Sequence, residues 1–225
     1  MKTDETLQHN VLDELRWDPS VDAAAIGVTV EDGVVTLSGH VSNYSQKQAA
    51  VRAAKHVHGV KALVDNLEVR LPALSERTDV DIARAAANVL DWNTAVPRDH
   101  IKVTVRHGWI TLEGEVQWNH HRTAAERAVE HLSGVKGLTN AITVKPHATP
   151  TEIVGHIDAA LRRNAYLDAR TIRVETHGHK VILRGNVRSY FEREEAERVA
   201  WSAPGVSQVE NHLLVTPESG GASSL

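Results

Sequence analysis

The sequence predicts an α+β protein of three tandem small domains, each with the element order α-β-β-α-β. One hairpin phrase occurs three times, as GVVTLSGHV from Gly33, GWITLEGEV from Gly108 and HKVILRGNV from His179. Two sets of glycines keep the same spacing in every copy: Gly39, Gly114 and Gly185, then Gly59, Gly134 and Gly205. This period exceeds that of most solenoid repeats, so each copy is long enough to be a small domain.

Each copy begins with the pattern of an amphipathic helix. Leu7, Val11 and Leu15 recur every four residues and therefore share one helix face. The same stripe returns in the other copies as Ile82, Ala86 and Leu90, then Ile153, Ile157 and Leu161. A Thr or Asp precedes each stretch and can cap the first helical turn.

Two strands joined by a tight turn follow the first helix. Ile26, Val28 and Val30 alternate with smaller or polar residues, as expected for a strand with one buried face. The second strand follows Asp32-Gly33, a dipeptide typical of hairpins because glycine tolerates positive φ. The corresponding turns of the other copies are His107-Gly108 and Gly178-His179.

A second helix and a third strand complete the unit. The helix carries a small-residue stripe at Ala50, Ala53, Ala54 and Val57, which allows a close approach to the sheet. The third strand is reached through this helix, so the three-stranded sheet should be mixed, with two helices on one face. The predicted boundaries are 1–71, 78–146 and 149–217, and residues 218–225 have the composition of a disordered tail.

Composition excludes several classes of function. A formal net charge of −4 argues against a dedicated nucleic-acid binder. There is no cysteine, hence no disulfide or thiolate chemistry. The polar start MKTDETLQHN does not resemble a secretory signal, and no apolar run approaches a membrane span. We therefore expect a cytoplasmic protein.

The stretch IGVTVEDGVVTLSGHV, followed by a Gly-Val and a late Asn before the end of the copy, resembles the BON domain. The second copy fits best, as IKVTVRHGWITLEGEVQW and AAERAVEHLSGVKGLTNAITV. The resemblance implies non-enzymatic binding domains, associated in bacteria with osmotic stress and the cell envelope. Some family members are thought to bind phospholipid, and one binds potassium. The absence of a LysM segment weakens the potassium interpretation here.

The sequence indicates neither an enzyme nor a metal site. No nucleophile elbow, Walker loop or dinucleotide fingerprint is present. The 14 histidines do not occupy matching places in the three copies, so we interpret them as solvated polar residues. We predict no cofactor, no metal and no catalytic residue. For potassium, Asp65, Asn66, Asn140 and Asn211 are candidates, whose ordinary role is to close the turn before the last strand.

Aromatic residues are the most informative candidates for binding. Trp17 and Trp92 end the first helices of two copies, and we predict that they cap the domain cores. Trp109 should face away from its core. The candidates for contact with lipid or a partner are Trp109, Trp118, Tyr44, Tyr190, Phe191 and Arg122. For these we rank packing between domains first, a partner second and lipid third.

The sequence therefore predicts a stress-associated binding protein that uses linked BON domains on a phospholipid membrane or a protein partner. Two alternatives stay open at this point. One is a cation sensor for potassium, and the other is self-assembly into oligomers or fibres, since similar faces on tandem domains can pair between chains.

Overall fold

The computed structural model describes residues 3–97, 100–145, 150–164 and 166–216, with residues 150–152 described by their backbone alone. The predicted tail at residues 218–225 lies outside this part of the chain. The first domain contains α1 (Asp4–Trp17), β1 (Ile26–Glu31), β2 (Val34–Val41), α2 (Tyr44–His56) and β3 (Ala62–Val69). Short 3₁₀ turns occur at Ala23–Ala25 and Ala73–Ser75.

The other two domains repeat this order. The second contains α3 (Asp79–Trp92), β4 (Ile101–Arg106), β5 (Trp109–Val116), α4 (Asn119–Glu130) and β6 (Gly137–Val144). The third contains α5 (Pro150–Arg163), β7 (Ile172–His177), β8 (Lys180–Val187), α6 (Tyr190–Trp201) and β9 (Gln208–Val215). The predicted α+β class and three tandem α-β-β-α-β units are confirmed.

Each sheet is mixed, with the second strand of the domain in the middle. In the first sheet, β1 and β2 run antiparallel and β2 and β3 run parallel, so Leu37 lies between Val28 and Asp65. Leu112 and Leu183 hold the same place in the other two sheets. Because the crossover from the second strand to the third is a helix, parallel pairing follows from the connection.

Three hydrophobic cores form, one in each domain, under the two helices. The predicted stripe of α1 is buried, since Leu7, Val11 and Leu15 are at most 3% exposed. The stripes of α3 and α5 are buried in the same way. Among the described residues, both helices of each domain pack on the core side of its sheet and leave the other face without a helix of that domain.

The glycine that ends each hairpin phrase is required by the backbone. Gly39 has a φ of 108°, and a Cβ there would lie 2.1 Å from the carbonyl oxygen of Ala25. Gly114 and Gly185 meet the equivalent carbonyls at 2.0 Å and also have positive φ. Of the second set, Gly59, Gly134 and Gly205 have positive φ as well. The six structural glycines therefore serve the fold.

An aspartate at the start of the first helix holds the hairpin turn in two domains. Asp4 accepts hydrogen bonds from the backbone N–H groups of Asp32 and Gly33. Asp79 does the same for His107 and Gly108, at 2.8 and 2.9 Å. These bonds favour the charged carboxylate and hold the pKa of Asp79 below its usual value.

Candidate functional site

The second helices of the three domains meet, and all three pairs of domains make contact at this junction. Domain 1 joins domain 2 where the start of α2 reaches the end of α4. Ser45 Oγ donates to the carbonyl oxygen of Glu130 and lies 2.7 Å from His131 Nδ1. Arg52 Nη1 donates to the Glu130 carboxylate at 3.1 Å. Tyr44 also packs against the core cluster of domain 2.

The environment of Tyr44 shows how closely these two domains approach. Its hydroxyl accepts a hydrogen bond from Gln48 Nε2 at 2.8 Å. Burial raises the pKa of Tyr44 to about 12, and the nearby carboxylate of Glu126 from domain 2 adds to the effect. Both causes disfavour the phenolate, so Tyr44 stays a neutral packing residue at physiological pH.

Domain 3 joins domain 1 through the start of α6 and the end of α2. Phe191 and His56 stack edge to face with ring centroids 5.2 Å apart. Lys55 pairs with Glu194 and lies over the ring of Tyr190, 5.3 Å from its centroid. Cations are attracted to the face of an aromatic ring at such distances, so the ring of Tyr190 both packs at the contact and attracts the Lys55 ammonium.

Domain 2 joins domain 3 through the start of α4 and the end of α6. The guanidinium of Arg122 lies over the ring of Trp201, 5.4 Å from its centroid. Trp201 packs against the core clusters of both domains. Trp201 was missed by sequence reasoning. The sequence did contain a signal for it. Trp201 directly follows the core residues Val199 and Ala200 and occupies the same helix position as Lys55 and Glu130.

The three contacts follow one head-to-tail scheme. The start of each second helix meets the end of another: α2 meets α4, α4 meets α6 and α6 meets α2. Equivalent positions are used, because Ser45 and Phe191 correspond in the repeat, and so do their partners His131 and His56. Heterologous contacts of this kind form a ring when the rotation closes. Each of the three domains therefore contacts both of the others, and the contacts form a closed ring.

The structure brings together four of the six residues singled out for binding. Tyr44, Tyr190, Phe191 and Arg122 all lie at contacts between domains. Trp118 is the N-cap residue of α4 and is half-buried. Its equivalents Asn43 and Ser189 cap α2 and α6 through their side chains, whereas Trp118 forms no such cap bond.

Trp109 lies apart from the junction, on the open face of the second sheet. It is 50% exposed, its Nε1 donates to Thr139 Oγ1 at 2.9 Å, and its ring covers Gly137. The neighbouring Ile110 is fully buried, as the alternation predicts. Gly137 makes room for the indole, because a Cβ there would lie 2.2 Å from the ring.

The prediction that Trp17 and Trp92 cap their domain cores is wrong. They are 84% and 85% exposed. Trp17 lies two residues after Leu15, on the opposite side of α1 from the buried stripe. The end of each core is closed instead by a residue of the following loop, Val21, Val96 or Leu167, each at most 9% exposed.

The late Asn residues do not close a turn, contrary to the prediction. Asn140 and Asn211 lie within β6 and β9. Asn140 Nδ2 donates to the carbonyl oxygen of Arg122 and to the Glu126 carboxylate, and Asn211 repeats both contacts in domain 3. In domain 1, Asp65 pairs with Lys47 at 3.1 Å instead. This position ties the last strand to the second helix.

The histidines form no metal site in the part of the chain that the structure describes, where no group of three potential His or acidic ligands is found. His120 and His121 lie side by side with ring centroids 4.1 Å apart. Burial, and then His120, lower the pKa of His121. Among the same described residues, no helix has the length and apolar character needed to cross a membrane.

Fold and junction together define a protein of three repeated α+β domains joined through their second helices. The family model for the BON domain matches residues 3–70, 78–146 and 150–217. The chain belongs to the BON domain family.

The chain is also similar to osmotically-inducible protein Y of Escherichia coli (strain K12), with 30% identity over 132 residues. The match covers 56% of this chain and 65% of that protein, which is less than two thirds of its length.

Two solved structures of CdsD, a structural protein of the type III secretion system of Chlamydia trachomatis, also match. One covers 95% of this chain and 93% of the CdsD chain, with a TM-score of 0.28 and 15% identity. The other, the C-terminal domain, covers 96% and 100%, with a TM-score of 0.26 and 15% identity. Scores this low support no statement about the present chain.

Proposed function

We propose that this protein is a non-catalytic protein of the osmotic stress response that binds a phospholipid surface with its BON domains held as one body. The connection to osmotic stress is supported by the similarity to osmotically-inducible protein Y and by membership of the same domain family. The residues shared by the three domains are core residues and glycines that the fold requires. This pattern is expected for binding modules and not for a catalytic site.

The exposed tryptophans Trp17 and Trp92 carry the proposal. A tryptophan side chain is large and mostly apolar, so leaving it more than four fifths exposed in water is unfavourable. Indoles are enriched at the membrane–water interface, where the ring meets the acyl boundary and the N–H meets the headgroups. A phospholipid surface would thus remove an unfavourable exposure.

Contact between domains 1 and 2 supports joint use of these two indoles. Trp17 and Trp92 occupy equivalent positions at the ends of α1 and α3, and both are more than four fifths exposed. A membrane that contacts domains 1 and 2 together would meet both indoles. The second contact is then intramolecular, and two weak sites act together with a higher effective concentration.

Vesicle flotation at low salt tests the proposal. The wild type should float with vesicles, and the double variant Trp17→Ala, Trp92→Ala should stay in the dense fraction. Trp109→Ala is the matched control, because it removes an indole that is half exposed and held by Thr139. A wild type that fails to float with anionic and neutral vesicles alike contradicts the proposal and leaves a protein partner as the occupant of these tryptophans.

Potassium sensing and self-assembly stay predictions, each with its own measurement. A cation sensor should become more compact on addition of potassium, which small-angle scattering detects. Self-assembly should make the particle size grow with protein concentration, which analytical ultracentrifugation detects.

A further inference from the structure

Domain 3 contains an open cavity of about 430 Å³ beside its edge strand β7. It lies where the end of α5 faces the loop before β7, the first residues of β7 and the second half of β8. Four arginines line it: Arg162, Arg170, Arg173 and Arg184. They come from α5, the loop, β7 and β8 in turn, so the tertiary fold gathers them from separate parts of the domain.

These arginines differ in how they are compensated. Arg170 donates from Nε and Nη2 to the two oxygens of Asp168, at 3.1 Å each. Arg184 Nε lies 3.4 Å from Glu175. Arg162 and Arg173 have no carboxylate partner within the ranges that the structure describes, and Asp158 is the acidic residue of the lining. Two guanidinium groups are thus available to an anion.

Arg173 and Arg184 form a like-charge pair. They lie directly opposite each other in the antiparallel ladder of β7 and β8. Like charges at directly opposed positions destabilise a sheet. The equivalent pairs are Gly27 with Ser38 in domain 1 and Lys102 with Glu113 in domain 2, one neutral and one of opposite charge. A bound anion would offset the repulsion that only domain 3 carries.

The shape of the cavity recurs in domain 2, whereas its arginine lining is found in domain 3. Domain 2 has a cavity of about 290 Å³ at the equivalent place, where Ile101 and Val103 stand for Ile172 and Val174. Apart from Asp91, its described lining residues are apolar in type, and Ala87 and Asp91 replace Asp158 and Arg162. The repeated fold therefore provides the cavity, and the arginines of domain 3 make it basic in that copy.

We propose that this arginine-lined cavity of domain 3 binds a phosphate group. Guanidinium forks match the geometry of phosphate oxygens and bind them through pairs of charge-assisted hydrogen bonds. Arg162 and Arg173 both line the cavity, and their two positive charges equal in number the charges of a phosphate dianion. The group belongs either to a small soluble phosphate compound or to a phosphomonoester lipid headgroup. The inference goes beyond the proposed function, because it concerns one domain and does not use the exposed tryptophans.

Calorimetric titration of the full chain with inorganic phosphate and with pyrophosphate, at low salt, tests the soluble form. The variant Arg162→Gln, Arg173→Gln should lower the affinity by about tenfold or more, since hydrogen bonds to charged groups are lost. Lys102→Gln is the matched control, because it removes a cation at the same strand position of domain 2. Phosphate should also raise the Tm of the wild type and leave that of the double variant unchanged.

Flotation with vesicles that contain phosphatidic acid tests the lipid form. Binding of these vesicles that is lost in Arg162→Gln, Arg173→Gln, without any response to soluble phosphate, assigns the site to a headgroup. Equal behaviour of wild type and this variant with phosphate, pyrophosphate and phosphatidic acid overturns the inference. That result is distinct from failure of the proposed function, in which the wild type floats with no vesicles at all.

Discussion

The guanidinium of Arg122 lies over the indole of Trp201, 5.4 Å from the ring centroid, and joins domain 2 to domain 3. Trp201 packs against the cores of both domains, and Tyr44 of domain 1 packs against the core of domain 2. Core residues shared across a boundary couple the stability of the domains on either side. The three domains are therefore expected to unfold together and not as independent units.

Replacing Trp201 tests this coupling. Trp201→Ala removes packing from two cores at once, and we expect unfolding to require about 2 kcal/mol less, since the side chain is partly buried. Domain 3 should then melt before the other two, as a separate transition in calorimetry. Trp17→Ala is the control, because an indole that is 84% exposed should change stability by no more than about 0.5 kcal/mol. A single unshifted transition in Trp201→Ala would refute the coupling.

The glycine at the end of the second hairpin phrase should tolerate no side chain. In Gly114→Ala the new Cβ would lie 2.0 Å from the carbonyl oxygen of His100, and the backbone has positive φ. We expect a loss of about 3 kcal/mol or more, measured by urea denaturation. Gly155→Ala should instead stabilise the protein. A Cβ at this position would have no atom within 4 Å, and inside a helix such as α5 alanine is more stable than glycine by about 0.5–1 kcal/mol.

The contact of Asn140 with α4 depends on two donated hydrogen bonds. Asn140→Asp replaces the donor with a carboxylate next to Glu126 and the carbonyl of Arg122, so stability should fall by about 1–3 kcal/mol at neutral pH. The cost should shrink at low pH, where protonation of either carboxyl relieves the repulsion. Asn66→Asp makes the same change at an exposed strand position and should be nearly neutral. Equal urea midpoints of the two variants would contradict this role.

The hydrogen bonds by which Asp79 holds the β4–β5 turn of domain 2 should weaken in acid. Hydrogen bonds from the backbone N–H groups of Gly108 and His107 lower the pKa of Asp79 from 3.8. The unfolded chain therefore binds the proton more readily, so the contribution of Asp79 to stability is present above pH of about 3.8 and is lost as the pH falls through the folded value. Carboxyl NMR titration should give a pKa below that of a model peptide, and Asp79→Asn should abolish this part of the acid dependence. A normal pKa for Asp79 would show that these hydrogen bonds are not formed.

Local patterns predicted most of the fold correctly. The stripes led by Leu7, Ile82 and Ile153 are buried because helical periodicity places them on one face whatever surrounds the helix. Trp17 was misplaced because the prediction used its equivalent position in two copies and not the helical periodicity, which places it opposite the buried stripe. Asn140 was misplaced because its role depends on Glu126, which is remote in the strand pattern but adjacent across the helix–sheet layer.

By itself the sequence determined the three copies, their element order, the core stripes and the glycines, because these follow from short-range periodicity and steric limits of the backbone. Tertiary structure alone decided the ring of second helices and the gathering of Arg162 and Arg173 into one cavity. These features bring together residues from different elements or domains, and such neighbours are set by how the elements pack and not by the order in which they occur.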